Sequence, residues 1–164
     1  IIRIDDCPSP ALVTIEVGGD GEEATEEAIR GIYDSLRATS LAMSEKTVLP
    51  GGGASHSMIA HHVRTEMESE PGRERIAMES FARAMETIPA VLAENSGQNP
   101  LDKVLKLRSE ARNGNCMGID RDGKITSPEG VWHPKSVISG SLETATETAI
   151  SMLRIDQVVS ARGD

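Results

Sequence analysis

Apolar residues along this chain follow two rhythms. In the longer part they recur at steps of three and four, the period of a helix with one buried face. Ile29, Ile32, Tyr33, Leu36 and Met43 form the first such series. The helix it predicts starts at Glu22, Glu23, Glu26 and Glu27, where a helix N-terminus favours negative charge. It ends before Pro50-Gly51-Gly52-Gly53. Ile59, Val63 and Met67 predict a second helix over about 54–67, broken by Glu70-Pro71-Gly72. Ile76, Phe81, Met85 and Ile88 predict a third over about 73–92, with Pro89 late in it as a place to kink. After the loop Asn95 to Asn99, Pro100 suits the first turn of a fourth helix ending near Arg112. Leu142, Ala145, Ala149, Met152 and Leu153 predict a last helix over about 139–159. The other rhythm is β-like. Ile1 to Asp6 alternates weakly, Cys7-Pro8-Ser9-Pro10 is a turn, and Ala11 to Val17 is rich in β-branched residues before Gly18-Gly19-Asp20-Gly21. Two short strands are expected there. Residues 113–134 are the least regular, with Asp120-Arg121-Asp122-Gly123-Lys124 expected as a hairpin turn. The pattern predicts a mainly α domain with a small β component (α+β).

Composition narrows the picture. At 164 residues the chain has the length of one domain. It has 38% hydrophobic and 26% charged residues, ordinary for a globular protein and unlike a disordered one. Only Tyr33, Phe81 and Trp132 are aromatic, so stacking platforms for single-stranded nucleic acid are not expected. The net charge of −9 argues against duplex nucleic acid and against an anionic membrane surface, because both bind through Lys and Arg. No run approaches a membrane span. Cys7 and Cys116 match no metal spacing and are expected as free thiols of a cytosolic protein. The start, Ile1-Ile2-Arg3, carries neither an initiator Met nor a secretory core, and reads as cut from something longer.

Few motifs carry chemistry on their own. Gly51-Gly52-Gly53 opens a helix, where backbone can approach a ligand and amides favour anions. Short glycine motifs recur by chance, so as a bare pattern the triplet is first a tight packing turn. Asp34 is a lone carboxylate on an amphipathic helix, a position usually solvated. His56, His61 and His62 lack the four-residue spacing of a helical metal pair. Asp120-Arg121-Asp122-Gly123 fails as a calcium loop because its twelfth position is Val131. Arg162-Gly163-Asp164, the tripeptide of some adhesion ligands, is coincidental at the end of such a chain.

Several segments, taken in order, resemble the C-terminal part of a group II chaperonin subunit, the family of the archaeal thermosome and the eukaryotic cytosolic chaperonin. Cys7 to Gly19 resembles the strand leaving the apical domain. Arg30-Gly31-Ile32-Tyr33-Asp34-Ser35-Leu36 resembles the ERSxHDAL helix of the intermediate domain. Val48-Leu49-Pro50-Gly51-Gly52-Gly53-Ala54 resembles VxPGGGA, seventeen positions on from Asp34 to Gly51. Ile88 to Gly97 resembles IPxxLAENAG, and Leu153 to Val159 resembles LRIDDII. The resemblance implies a domain plan: 1–21 as strands leaving the apical domain, 22–48 as an intermediate-domain helix, and 49–164 as the C-terminal half of the equatorial nucleotide-binding domain. It implies ATP with Mg2+ as cofactor, a cytoplasmic ring with neighbouring subunits as partners, and non-native proteins as clients. It gives Asp34 the catalytic task of orienting the attacking water, and Gly51, Gly52 and Gly53 contact with the nucleotide.

The departures also carry implications. The family's GDGTT phosphate loop and its magnesium-holding Asp precede the part matched here. These residues are therefore expected to need that half of the subunit, and alone neither to hydrolyse ATP nor to enclose a client. His133 stands where the family's VIEP segment has an acid against the ribose, Ile138 where a Lys is common, and His56 where a Glu follows GGGA. Each lost hydrogen-bond partner costs about 1–3 kcal/mol. The alternative expectation is a truncated, non-ATPase chaperonin paralogue acting as a scaffold or interaction protein. In the first reading, exposed apolar faces, and association or marginal stability of the chain alone, are expected.

Overall fold

The computed structural model describes residues 14–19 and 21–155. The chain divides into two compact units, Ile1–Ser40 and Leu41–Asp164. The first unit holds most of helix α1, Glu22–Glu45, which begins with Glu22 and Glu23 in its first turn. None of α1 is buried, and Ile29, Tyr33 and Leu36 stand exposed along it. Arg37 donates to the Tyr33 hydroxyl at 2.7 and 3.0 Å while lying over its ring. The predicted strand over Ala11 to Val17 is not found where it is described: Thr14 to Gly19 carries no strand, having no partner to ladder with among the described residues. The other predicted strand, the turn after it and Cys7 lie outside the described residues.

The second unit is built on helices. α2, Ala54–Met67, packs on α3, Glu74–Asn95, and α4, Pro100–Arg112, packs on α3 in turn. Ala60 and Ala82 are fully buried between α2 and α3 beside Met85, and these small residues let the helix axes approach. Ile59, Val63, Phe81 and Leu142 close over them. A second cluster joins Ala93 and Leu107 to Ile119. Pro89 lies inside α3, fully buried, and the helix runs on to Asn95. Asn99 caps α4, its side chain accepting from the amides of Leu101 (2.9 Å) and Asp102 (3.3 Å).

Two small antiparallel pairs complete the unit. β2, Gly118–Ile119, pairs with β3, Ile125–Thr126, across the predicted hairpin turn. Asp120 Oδ1 accepts from the amides of Asp122 and Lys124 and holds that turn. β1, Val48–Pro50, pairs with β4, Trp132–Pro134, in the register Val48 to Pro134. α5, Lys135–Leu153, follows directly and starts earlier than predicted, because Pro134 ends β4 and opens the helix at once. It ends at Leu153, Arg154 and Ile155 are not helical, and the rest of the predicted helix, from residue 156, lies outside the described residues. Of α5 only Ile138 is buried, and an apolar groove of about 520 Å3 runs between Phe81 and Leu142, Ala149 and Leu153. The architecture is mainly α with a small β component, as the apolar pattern predicted.

Candidate functional site

The glycine turn sits where β1 meets α2, and three later segments hold it. The Gly51 amide donates to the Val131 carbonyl at 2.8 Å. The Gly52 carbonyl accepts from the Ile119 amide at 2.8 Å. Gly53 lies against Pro89 of α3, so closely that a Cβ there would fall 2.8 Å from the proline's own Cβ. Gly52 and Gly53 have φ of 61° and 76°, the left-handed region that side-chain-bearing residues rarely adopt. A Cβ on Gly52 would meet the Ile119 carbonyl oxygen at 2.8 Å. The packing reading of the triplet is therefore correct at Gly52 and Gly53.

The same turn leaves donors open. The amides of Gly52 and Gly53 take no hydrogen bond among the described residues, whereas the Gly51 amide is used. Ser55 and Ser57 hydroxyls brace the turn instead, donating to the carbonyls of Pro50 (2.6 Å) and Gly53 (3.0 Å). A cavity of about 60 Å3 opens beside Gly52, between Gly118, Asp120 and Glu129. Nucleotide-sized ligands need several hundred cubic ångströms. This chain could line one side of such a ligand and could not enclose it.

His133, on β4, lies half-buried against Gly51: a Cβ on Gly51 would fall 3.2 Å from His133 Nε2. His56, in the first turn of α2, is close enough to feel its charge. Burial first, and the His133 charge second, push the His56 imidazole down from its ordinary range. Ile138 is buried in the first turn of α5, where an ammonium group would have to be desolvated.

Asp34 lies on α1 in the first unit, exposed, with no hydrogen bond or ion pair among the described residues. Among the described residues no three His, Cys, Asp or Glu side chains cluster as a metal would need. No helix there is long and apolar enough to cross a membrane. The Cys116 thiol is half-buried, and burial pushes its pKa up.

One polar cluster escaped the sequence reading. Glu86 is buried on α3 and accepts from two guanidinium groups, Arg64 of α2 (2.5 and 2.9 Å) and Arg108 of α4 (2.6 and 2.5 Å). Arg64 also reaches Glu79 at 2.9 and 3.1 Å. Burial pushes Glu86 up, but the two arginines outweigh it and hold the carboxyl below the usual range. A signal was present: Glu86 lies four after Ala82 and three before Pro89, on the apolar stripe of α3. A carboxylate at such a position needs a cationic partner.

Residues 1–163 match the family model of the TCP-1/cpn60 chaperonin family. A thermosome subunit of Methanocaldococcus jannaschii is 37% identical over 98% of this chain and 31% of its own length. The thermosome subunit beta of Thermoplasma acidophilum is 40% identical over 95% of this chain and 30% of its own. Among solved structures, the open-state monomer of a group II chaperonin from Methanococcoides burtonii superposes with a TM-score of 0.71 at 28% identity, over 84% of this chain and 35% of that one. The chain spans about three-tenths of the length of the curated relatives it matches.

Proposed function

The chain belongs to the TCP-1/cpn60 chaperonin family, and from that premise we propose that it serves as part of a group II chaperonin subunit in an ATP-driven, cytoplasmic folding ring. In this reading its partners are the rest of the subunit and the neighbouring subunits, and the clients of the whole ring are non-native proteins. The chain supplies one wall of a nucleotide site and the residue that positions water for hydrolysis.

The observation that carries the reading is the pair of open amides at Gly52 and Gly53, held in left-handed turns by β2, α3 and the Val131 carbonyl. Open amides at the start of a helix suit anionic or hydroxyl oxygens of a nucleotide. The residues present fit one edge of such a ligand, with His133 beside Gly51 as a further polar contact. When bound, ATP with Mg2+ supplies the reactive phosphoanhydride. Asp34, exposed and with no hydrogen bond or ion pair among the described residues, is the residue we assign to orienting the attacking water. In the assembled ring, Asp34→Ala should remove ATP hydrolysis, by a hundredfold or more in order of magnitude, while ATP still binds. Turnover within a few-fold of the unsubstituted ring would remove Asp34 from the mechanism.

A second reading has its own support. His56 and His133 put two imidazoles at the Gly51 edge, and Ile138 is a buried apolar residue where the family commonly has a Lys. A scaffold that has lost nucleotide chemistry would look so. The same ring distinguishes the two: no calorimetric binding of ATP at millimolar concentration would favour the scaffold.

A further inference from the structure

A cavity of about 310 Å3 opens between the last turns of α2 and α4 and the start of α3, and four arginines line it. They are Arg64, Arg75, Arg108 and Arg112, with His61 at half-buried depth beside them. In a chain of net charge −9 this is a local reversal of sign.

The donors are not all spent. Arg64 gives its guanidinium to Glu79 and Glu86. Arg108 gives Nε and Nη2 to Glu86, which leaves its Nη1 without a partner among the described residues. Arg75 and Arg112 make no hydrogen bond or ion pair there at all. The charges add accordingly. Arg64 and Arg108 balance Glu79 and Glu86, while Arg75 and Arg112 face only Glu68 among the lining residues. The pocket keeps an excess positive charge, and like charges gathered in a concave, partly dry site repel until an anion joins them.

The frame is also fixed. Glu86, buried and gripped from both sides, holds the Arg64 and Arg108 planes in the wall. Arg112 follows Arg108 by four residues and so lies on the same face of α4. Planar guanidinium groups with free edges match the oxygens of a phosphate two at a time. The volume is at the small end for a ligand site and suits an anion of one or two phosphate units rather than a nucleotide. Of the residues around the glycine turn only Ser57 borders this cavity.

We propose that this arginine pocket binds a small phosphate-class oxyanion, at a site separate from the glycine turn. The proposal does not depend on the function proposed above. Titration of the purified protein with inorganic pyrophosphate and with inorganic phosphate, followed by calorimetry, tests it. Saturable binding is expected with both, tighter for pyrophosphate. The double variant Arg75→Ser/Arg112→Ser should weaken it by about tenfold or more. Both side chains are exposed, and a thermal melt of the variant checks that the fold survives. Glu68→Gln, which removes the one unanswered carboxylate, should tighten binding, a gain that damage to the fold cannot mimic. Heats equal to those of sodium chloride at matched ionic strength would overturn the proposal. So would equal binding of succinate, or binding that neither variant alters.

Discussion

Glu86 is the residue whose surroundings decide most. A carboxylate that deep is stable only with its charge answered, and Arg64 and Arg108 answer it from two helices. Glu86→Ala leaves Arg64 with Glu79 alone and Arg108 with no acceptor among the described residues. Losing charge-assisted hydrogen bonds from partly exposed arginines costs about 1–3 kcal/mol, and urea denaturation should show a loss of that order. The same residue sets an acid limit. Its pKa is lowered by folding, as is that of Glu79, whose chief cause is the hydrogen bond from Arg64. A lowered carboxyl pKa contributes stability above the ordinary glutamate range and loses it as pH falls through the folded-state value. Thermal melts should therefore hold steady near neutrality and decline below about pH 4.5. The decline should be shallower in the Glu86→Gln variant, which no longer titrates there. Asp34 illustrates the opposite case: it is exposed and makes no hydrogen bond or ion pair among the described residues, so its proposed task rests on its place in a motif.

The elements differ in how far they were legible. α2 and α4 matched their predicted bounds because their signals are local: a glycine turn before one, Asn99 and Pro100 before the other. The hairpin of β2 and β3 was legible for the same reason. The pairing of β1 with β4 was not. Each strand is three residues long, too short for a period, and the partners stand far apart in sequence. The clamp on the glycine turn was hidden with it, since Ile119, Val131 and Pro89 come from three separate segments. What the triplet implied, a tight approach, was legible. What it approaches was not. The junction makes a sharp prediction. Gly53→Ala sets a Cβ against Pro89 at positive φ, and should wedge α2 from α3 at a cost of about 2 kcal/mol or more. Gly140, inside α5 with open space around it, provides the control. Gly140→Ala should stabilise by about 0.5–1 kcal/mol in the same urea titration.

At the scale of the molecule, apolar surface is left over. α5 buries a single side chain, the groove beside Phe81 and Leu142 is open, and Ile76, Met152 and Leu153 stand in solvent. Surfaces of that kind normally mark a contact with more protein. Purified alone, the chain should show a native mass above its 17.5 kDa, by light scattering at micromolar concentration, with exposed-surface dye binding. A monodisperse 17.5 kDa species that melts cooperatively and binds no dye would contradict that expectation. The pairing of β1 with β4 has a consequence in time. A ribosome delivers the glycine turn well before the carbonyl of Val131 and the strand ending at Pro134. Until that stretch has emerged, the turn lacks the neighbours that hold its left-handed backbone. Non-local closure of this kind is a slow step in folding. The candidate site thus takes shape only after α2, α3 and α4 have been synthesised.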